Sequence, residues 1–154
     1  CAYGGGAGLV AACDIAIAEE EARFCFSEVR LGLIPAVISP YVIEAIGPRA
    51  ARHLFMTAEQ FDAGKALQLG LIQHCVPHSE LYLLGEAIAG KLTQVAPMAM
   101  QNAKKLVNSV KGQVIDRKLQ EYTAHLIAET RVSAEGQKGI KAFLNKTPVD
   151  WSRE

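Results

Sequence analysis

The sequence has little that would direct it to a membrane or to nucleic acid. Among its 154 residues no apolar stretch reaches the ~20 residues of a membrane span before a charge, glycine or proline interrupts it. Sixteen basic residues balance sixteen acidic ones, and neither sign runs in a block. We therefore expect no nucleic-acid partner and no membrane partner, and small molecules or other subunits instead.

Cysteine is scarce and is not arranged to bind metal. The four cysteines are Cys1, Cys13, Cys25 and Cys75. They form no C-x-x-C pair and lie in apolar runs, which indicates reduced thiols and a cytoplasmic protein, or one of the mitochondrial matrix in a eukaryote. His74, Cys75 and His78 suggest zinc, but Pro77 breaks their shared helical face and no second ligand pair follows. We predict no metal site.

The composition is that of one globular domain, with 50% hydrophobic and 21% charged residues. Short apolar runs typical of strands alternate with helical segments in the first part of the chain. From Ser79 onward the apolar residues recur at three and four residues, which is typical of helices. The sequence therefore predicts an α/β fold that divides near residue 95, with an α/β part over 1–95 and a helical part over 96–154.

Capping residues predict several helix boundaries. Ser39 is expected to cap a helix with Pro40 at its first position and Gly47 just past its end. Asp62 and Ser133 are expected to cap two later helices. These signals predict the limits of three helices before any tertiary contact is considered.

Four glycines near the start of the chain are candidates for an anion site. They are Gly4, Gly5, Gly6 and Gly8. Glycine lets backbone N–H groups approach a ligand, and the helix N-terminus that follows favours negative charge. The usual phosphate signatures are absent, and close helix packing is the alternative. Such a turn elsewhere follows a strand, so we expect an upstream segment before Cys1.

Glu28 is the carboxylate best suited to proton transfer. It stands between the apolar runs F-C-F-S and V-R-L-G-L-I-P-A, where loss of hydration disfavours the charged form. A surface glutamate paired with Arg30 is the alternative. Arg30 itself could bind a substrate carboxylate or lie exposed on the surface.

Four motifs, in this order, resemble those of the crotonase superfamily. They are A-Y-G-G-G-A-G-L-V-A-A-C-D-I-A-I-A, S-E-V-R-L-G-L-I-P-A, A-L-Q-L-G-L-I-Q-H-C-V and A-F-L-N-K. The resemblance covers essentially the whole chain. It implies the C-terminal half of a ββα spiral, followed by a helical region that packs against neighbours in trimers or dimers of trimers.

The resemblance also implies roles for individual residues. Gly5 would donate one of two N–H groups that hold the thioester oxygen as an enolate develops, with the second donor upstream of the chain. Glu28 falls at the second of the two glutamates of typical hydratases, and Gly8 falls at the first, so one carboxylate is missing. Phe143 and Lys146 match positions that contact the adenine and phosphate of CoA, although Phe143 could equally be helix core.

The segment around Glu28 resembles a branch of hydratases for methylglutaconyl-CoA or carboxygeranoyl-CoA, whose substrates carry a distal carboxylate. The stretch that begins at Pro35 replaces a glycine-rich one and should reshape the acyl pocket, so we expect Pro35 to contact substrate. We expect the same of Gly4 and Gly8 in the glycine turn. We expect a lyase that adds water to a 2-enoyl-CoA, with CoA as part of the substrate and no separate cofactor. An isomerase that uses Glu28 alone, and an inactive truncated homologue that acts as an assembly module, are the alternatives. We do not expect the chain to be active alone.

Overall fold

The computed structural model describes residues 1–151, which form a mixed α/β structure. The strands are β1 (Ala2–Tyr3), β2 (Ile17–Glu19), β3 (Arg23–Cys25), β4 (Phe61–Asp62) and β5 (His74–Val76). The helices are α1 (Gly5–Ala12), α2 (Ser39–Thr57), α3 (Ala63–Leu69), α4 (His78–Leu92), α5 (Pro97–Val110), α6 (Arg117–Val132) and α7 (Ala134–Asn145), and a short 3₁₀ helix covers Glu28–Leu31. The predicted α/β class is confirmed.

The backbone forms two compact units, Cys1–Glu86 and a second that begins at Ala87. All five strands lie in the first unit, and helices α5, α6 and α7 lie in the second. The change from one unit to the other falls inside α4. The division near residue 95, drawn from the change of apolar period, stays a prediction.

Parallel strand pairing determines where the chain leaves the sheet of the first unit. A three-stranded sheet has the order β1-β3-β4. Strands β1 and β3 are parallel, with Tyr3 opposite Cys25, and strands β3 and β4 are antiparallel. Parallel strands end at the same edge, so the residues that follow β1 and β3 are neighbours. Gly4 follows β1, and its N–H donates to the Cys25 carbonyl at 2.9 Å. A second, two-stranded sheet pairs β2 with β5 in parallel.

Aromatic packing anchors the segment that leads out of β3. Phe24 and Phe26 are 3% and 0% exposed, so both rings lie in the core. The ring of Phe26 meets Phe55 edge-on, with centroids 5.1 Å apart, and Phe61 at 5.9 Å. This packing fixes the backbone immediately before Glu28.

The capping predictions are confirmed at two helices and wrong at one. Asp62 and Ser133 each accept a hydrogen bond from a backbone N–H in the first turn, at 2.8 and 3.1 Å. The prediction for Ser39 is wrong, because Ile38 is the N-cap of α2. Ser39 is already helical, and its hydroxyl donates to the Ala36 carbonyl at 2.9 Å. Gly47, with φ +75°, separates two helical segments inside α2 as its position predicted.

The N-terminus of α5 is capped from another helix. Its own N-cap residue, Ala96, has no side-chain acceptor. The Glu135 carboxylate of α7 accepts the N–H groups of Met98 and Ala99, both at 2.9 Å. Glu135 is only 8% exposed, so these two bonds satisfy a buried charge.

Residues 1–151 contain neither a membrane-spanning helix nor a cluster of metal-binding side chains. No helix of this region has the length and apolar character needed to cross a membrane. No group of three or more His, Cys, Asp or Glu side chains in the same region could hold a metal ion. His78 instead contacts Glu19, with Nδ1 and Oε2 2.5 Å apart.

Candidate functional site

Gly4 lies where the chain turns from β1 into α1, on the side of the turn that faces the Glu28 carboxyl group. Its φ of +50° lies in the region that side chains with a Cβ rarely adopt. A Cβ placed there would also lie 3.3 Å from Glu28 Oε1. The backbone conformation therefore favours glycine at this position, and a larger residue would also crowd the Glu28 carboxyl group.

Gly5 is the next residue along the chain and presents its backbone N–H at the N-terminus of α1. It is the first residue of α1, so its N–H has no acceptor within the helix. Gly5 and Gly6 are exposed, so a ligand can reach the positive end of the helix dipole.

The Glu28 carboxyl group has one buried oxygen, Oε2. Its side chain is half-buried at the start of the 3₁₀ helix. Within the described residues, Oε2 is shielded from solvent and has no hydrogen-bond partner. An unsatisfied buried polar atom costs about 1–3 kcal/mol, and more when charged, so such atoms call for a functional explanation. This oxygen can exchange a proton with a bound ligand.

Gly8 is packed against an apolar side chain. It is buried, and a Cβ at this position would lie 2.1 Å from Ile38 Cγ2. A glutamate here would have to displace Ile38, which belongs to the core. The position that the resemblance assigns to the first glutamate of hydratases is therefore filled by packing between α1 and the start of α2.

The loop after Glu28 exposes apolar side chains. Pro35 is itself buried beneath this loop. Its neighbours Leu31, Ile34 and Val37 are 75%, 75% and 86% exposed. The stretch predicted to shape the acyl pocket thus presents an apolar surface, whereas its proline supports the loop from inside.

The amino-acid sequence matches one known protein family along its whole length. The profile described as enoyl-CoA hydratase/isomerase matches residues 1–154, which is the whole chain. The chain belongs to the enoyl-CoA hydratase/isomerase family.

Individual relatives and solved structures support this membership. A short-chain-enoyl-CoA hydratase of Clostridium acetobutylicum is 31% identical over 150 residues, which are 97% of this chain and 57% of that protein. A structure from Legionella pneumophila, described as an enoyl-CoA hydratase/isomerase (crotonase), is 59% identical with a TM-score of 0.93, over 97% of this chain and 58% of that one. An enoyl-CoA hydratase structure from Shewanella pealeana is 47% identical with a TM-score of 0.92, over 97% and 56%.

These matches confirm the predicted crotonase fold. The chain spans a little more than half the length of the relatives it matches. The branch that acts on methylglutaconyl-CoA or carboxygeranoyl-CoA stays a prediction, as do the site residues.

Two residues predicted to contact CoA lie in the second unit of this family member. Phe143, in the last turns of α7, is 82% exposed, so the alternative that it is helix core is wrong. Lys146 is the C-cap of α7 with φ +53°, and its N–H donates to the Phe143 carbonyl at 3.1 Å. Both side chains are available to a ligand.

Sequence reasoning missed two residues that shape the site. Ile38 lies in the stretch that begins at Pro35, and its residue type gave no sign of the contact with Gly8 that leaves no room for a second carboxylate. Ala58 carried no signal at all, since an alanine with φ +48° cannot be recognised from its residue type. Its carbonyl accepts a hydrogen bond from Arg30.

Proposed function

We propose that the complete gene product is an acyl-CoA hydratase that adds water to the double bond of a 2-enoyl-CoA thioester. The observation that carries the proposal is the buried, unpaired Oε2 of Glu28 beside the glycine turn that begins α1. Relatives named as enoyl-CoA hydratases support the reaction class and an acyl-CoA substrate. CoA belongs to the substrate, and we propose no further cofactor.

In this mechanism the thioester oxygen accepts the Gly5 N–H. Charge develops on that oxygen as the enolate forms, and the N-terminus of α1 supplies a fixed dipole to stabilise it. A single preorganised donor of this kind is worth about 2.7–4 kcal/mol in the transition state. A second donor is proposed to come from sequence upstream of Cys1.

Glu28 would then move the proton. The water oxygen forms a bond to C3, one water proton passes to the Glu28 carboxylate, and the carboxyl group delivers a proton to C2. All atoms of water end in the 3-hydroxyacyl thioester, and Glu28 returns to its starting state. Gly8 has no side chain to orient the water, so Glu28 takes both roles.

Double-bond migration is the second candidate function, and the contact between Gly8 and Ile38 favours it. An isomerase needs no activated water, and one carboxylate suffices to remove a proton from C4 and return one to C2, or the reverse. The same oxygen of Glu28 would serve both reactions. A product assay, which follows water addition and bond migration together, separates the two.

The substrate and the assembly are proposed from the resemblance. The altered stretch at Pro35 suits an acyl group other than a simple short chain, such as methylglutaconyl-CoA with its distal carboxylate. Exposed Phe143 and Lys146 suit the adenine ring and a phosphate of CoA. We propose that the complete gene product forms a trimer or a dimer of trimers. If it turns over no thioester, the alternative of an inactive homologue that acts as an assembly module is favoured.

The test is Glu28→Gln in the complete gene product, with Glu20→Gln as the matched control at an exposed glutamate. The amide keeps the shape of the side chain but cannot transfer a proton. We expect turnover of crotonyl-CoA and methylglutaconyl-CoA to fall about 10²–10⁴-fold, while thioester binding and the Glu20→Gln activity remain. Undiminished turnover in Glu28→Gln would show that the assigned role is wrong.

A further inference from the structure

We propose that Arg30 is a positioning residue that holds Glu28 in place through the Ala58 carbonyl, and that it does not bind a substrate carboxylate. Arg30 Nη2 lies 2.6 Å from Ala58 O, across 28 residues of sequence. Arg30 and Glu28 share the short 3₁₀ helix. The bond therefore ties the helix that carries Glu28 to the end of α2. The inference rests on the proposed function of Glu28.

Ala58 is a rigid anchor. It is fully buried, it caps the C-terminus of α2 with φ +48°, and its N–H donates to the Leu54 carbonyl at 3.0 Å. Its methyl group is packed in the core, so the direction of its carbonyl is fixed. The C-terminus of a helix is the negative end of its dipole and favours a cation such as the Arg30 guanidinium.

The same carbonyl also holds the chain on the other side of Glu28. Cys25, which is 2% exposed at the end of β3, donates its thiol to Ala58 O at 3.2 Å. Cys25 precedes Glu28 by three residues and Arg30 follows it by two. One acceptor thus fixes both ends of the segment that presents the carboxylate.

The turn that carries Glu28 has backbone hydrogen bonds of its own. The Glu28 carbonyl accepts the N–H groups of Gly32 and Leu33, the latter at 3.1 Å, so the 3₁₀ turn is internally closed. The bond between Arg30 and Ala58 holds this turn against the end of α2, so its loss should let these two N–H groups open more often. The bond is charge-assisted and therefore among the stronger hydrogen bonds.

The experiment compares Arg30→Met and Arg30→Lys in the complete gene product, with Arg52→Met as the control at an exposed arginine of α2. Arg30→Met should lower kcat about tenfold to hundredfold, the loss expected when a catalytic group is displaced by about 1 Å. The factor should be the same for crotonyl-CoA, which has no carboxylate, and for methylglutaconyl-CoA, which has one. KM should be unchanged for both thioesters, and Arg30→Lys should recover part of kcat.

Amide hydrogen exchange gives a readout that does not depend on turnover. The N–H groups of Gly32 and Leu33 should exchange faster in Arg30→Met than in the wild type, and remain unchanged in Arg52→Met. If Arg30→Met does not fold, Cys25→Ala and Cys25→Ser provide a milder pair. Removal of the thiol should then speed the same exchange, and the serine hydroxyl should restore protection.

Distinct outcomes would overturn the proposal. A rise in KM confined to methylglutaconyl-CoA would show that Arg30 binds the substrate carboxylate. Wild-type kcat, or unchanged exchange at Gly32 and Leu33, would show that the bond does not position Glu28. If the wild type turns over neither thioester, the proposed function fails, while the exchange result still decides whether Arg30 holds this turn.

Discussion

Replacement of Gly8 by alanine should force α1 away from α2. The new Cβ would lie 2.1 Å from Ile38 Cγ2 and 2.6 Å from Ile38 Cβ, whereas carbon atoms in contact lie about 3.5–4.0 Å apart. Overpacking of this kind costs about 1–3 kcal/mol. Alanine is about 1 kcal/mol better than glycine inside a helix, so the net loss of stability should be about 0–2 kcal/mol.

The steric part can be isolated by a second substitution. Ile38→Gly removes both clashing atoms, and glycine is well tolerated at an N-cap, which is the position of Ile38 in α2. The loss of this core side chain should itself cost about 2–5 kcal/mol. In that background Gly8→Ala retains only its helical advantage and should stabilise by about 1 kcal/mol. The effects in the two backgrounds should therefore differ by about 1–3 kcal/mol.

The assay is urea unfolding, followed by circular dichroism, of the wild type, both single variants and the double variant. Midpoints at similar slopes give the four free energies of unfolding. If Gly8→Ala has the same effect in both backgrounds, within about 0.5 kcal/mol, the two residues are not coupled. The reasoning that Ile38 excludes a side chain at Gly8 would then be refuted.

Two further predictions concern the second unit and the isolated chain. Glu135→Ala leaves two N–H groups of α5 without their acceptor and should lower the free energy of unfolding in urea by about 1–3 kcal/mol. The control Glu129→Ala, at an exposed glutamate, should lower it by under about 1 kcal/mol. Equal losses in the two variants would contradict the capping role of Glu135. Purified residues 1–154, shown to be folded by circular dichroism, should hydrate crotonyl-CoA about a hundred- to thousandfold more slowly than the complete gene product, because one oxyanion donor acts in place of two. Equal rates would show that the proposed oxyanion site is wrong.

Local signals in the sequence predicted the helices better than the strands. Asp62 and Ser133 act within their own first turns, so residue type and spacing were sufficient. β1 and β4 have two residues each, which is too short for any period to appear, and both form only because β3 pairs with them. The apolar run over 71–76 is a strand only over His74–Val76, because Leu71 and Ile72 pack into the core instead.

The candidate site was predictable where it depends on neighbours in sequence. Glu28 and the glycine turn were identified from residue type and resemblance, and parallel pairing of β1 with β3 explains why they meet. The contact of Arg30 with Ala58 spans 28 residues and depends on where α2 ends, which no local pattern encodes. Arg30 is exposed, as one of its readings from the sequence predicted, and its bond to Ala58 is visible only in the folded chain.

The parallel pairing of β2 with β5 has a consequence for synthesis on the ribosome. Ile17 pairs with His74, 57 residues later, and the intervening chain includes β3, α2 and α3. At about 5–20 residues per second, β2 waits about 3–11 s for its partner after it has been made. During that interval its backbone edge is open to pairing with another chain. The short length of β2, three residues, limits how well a wrong partner could pair with it.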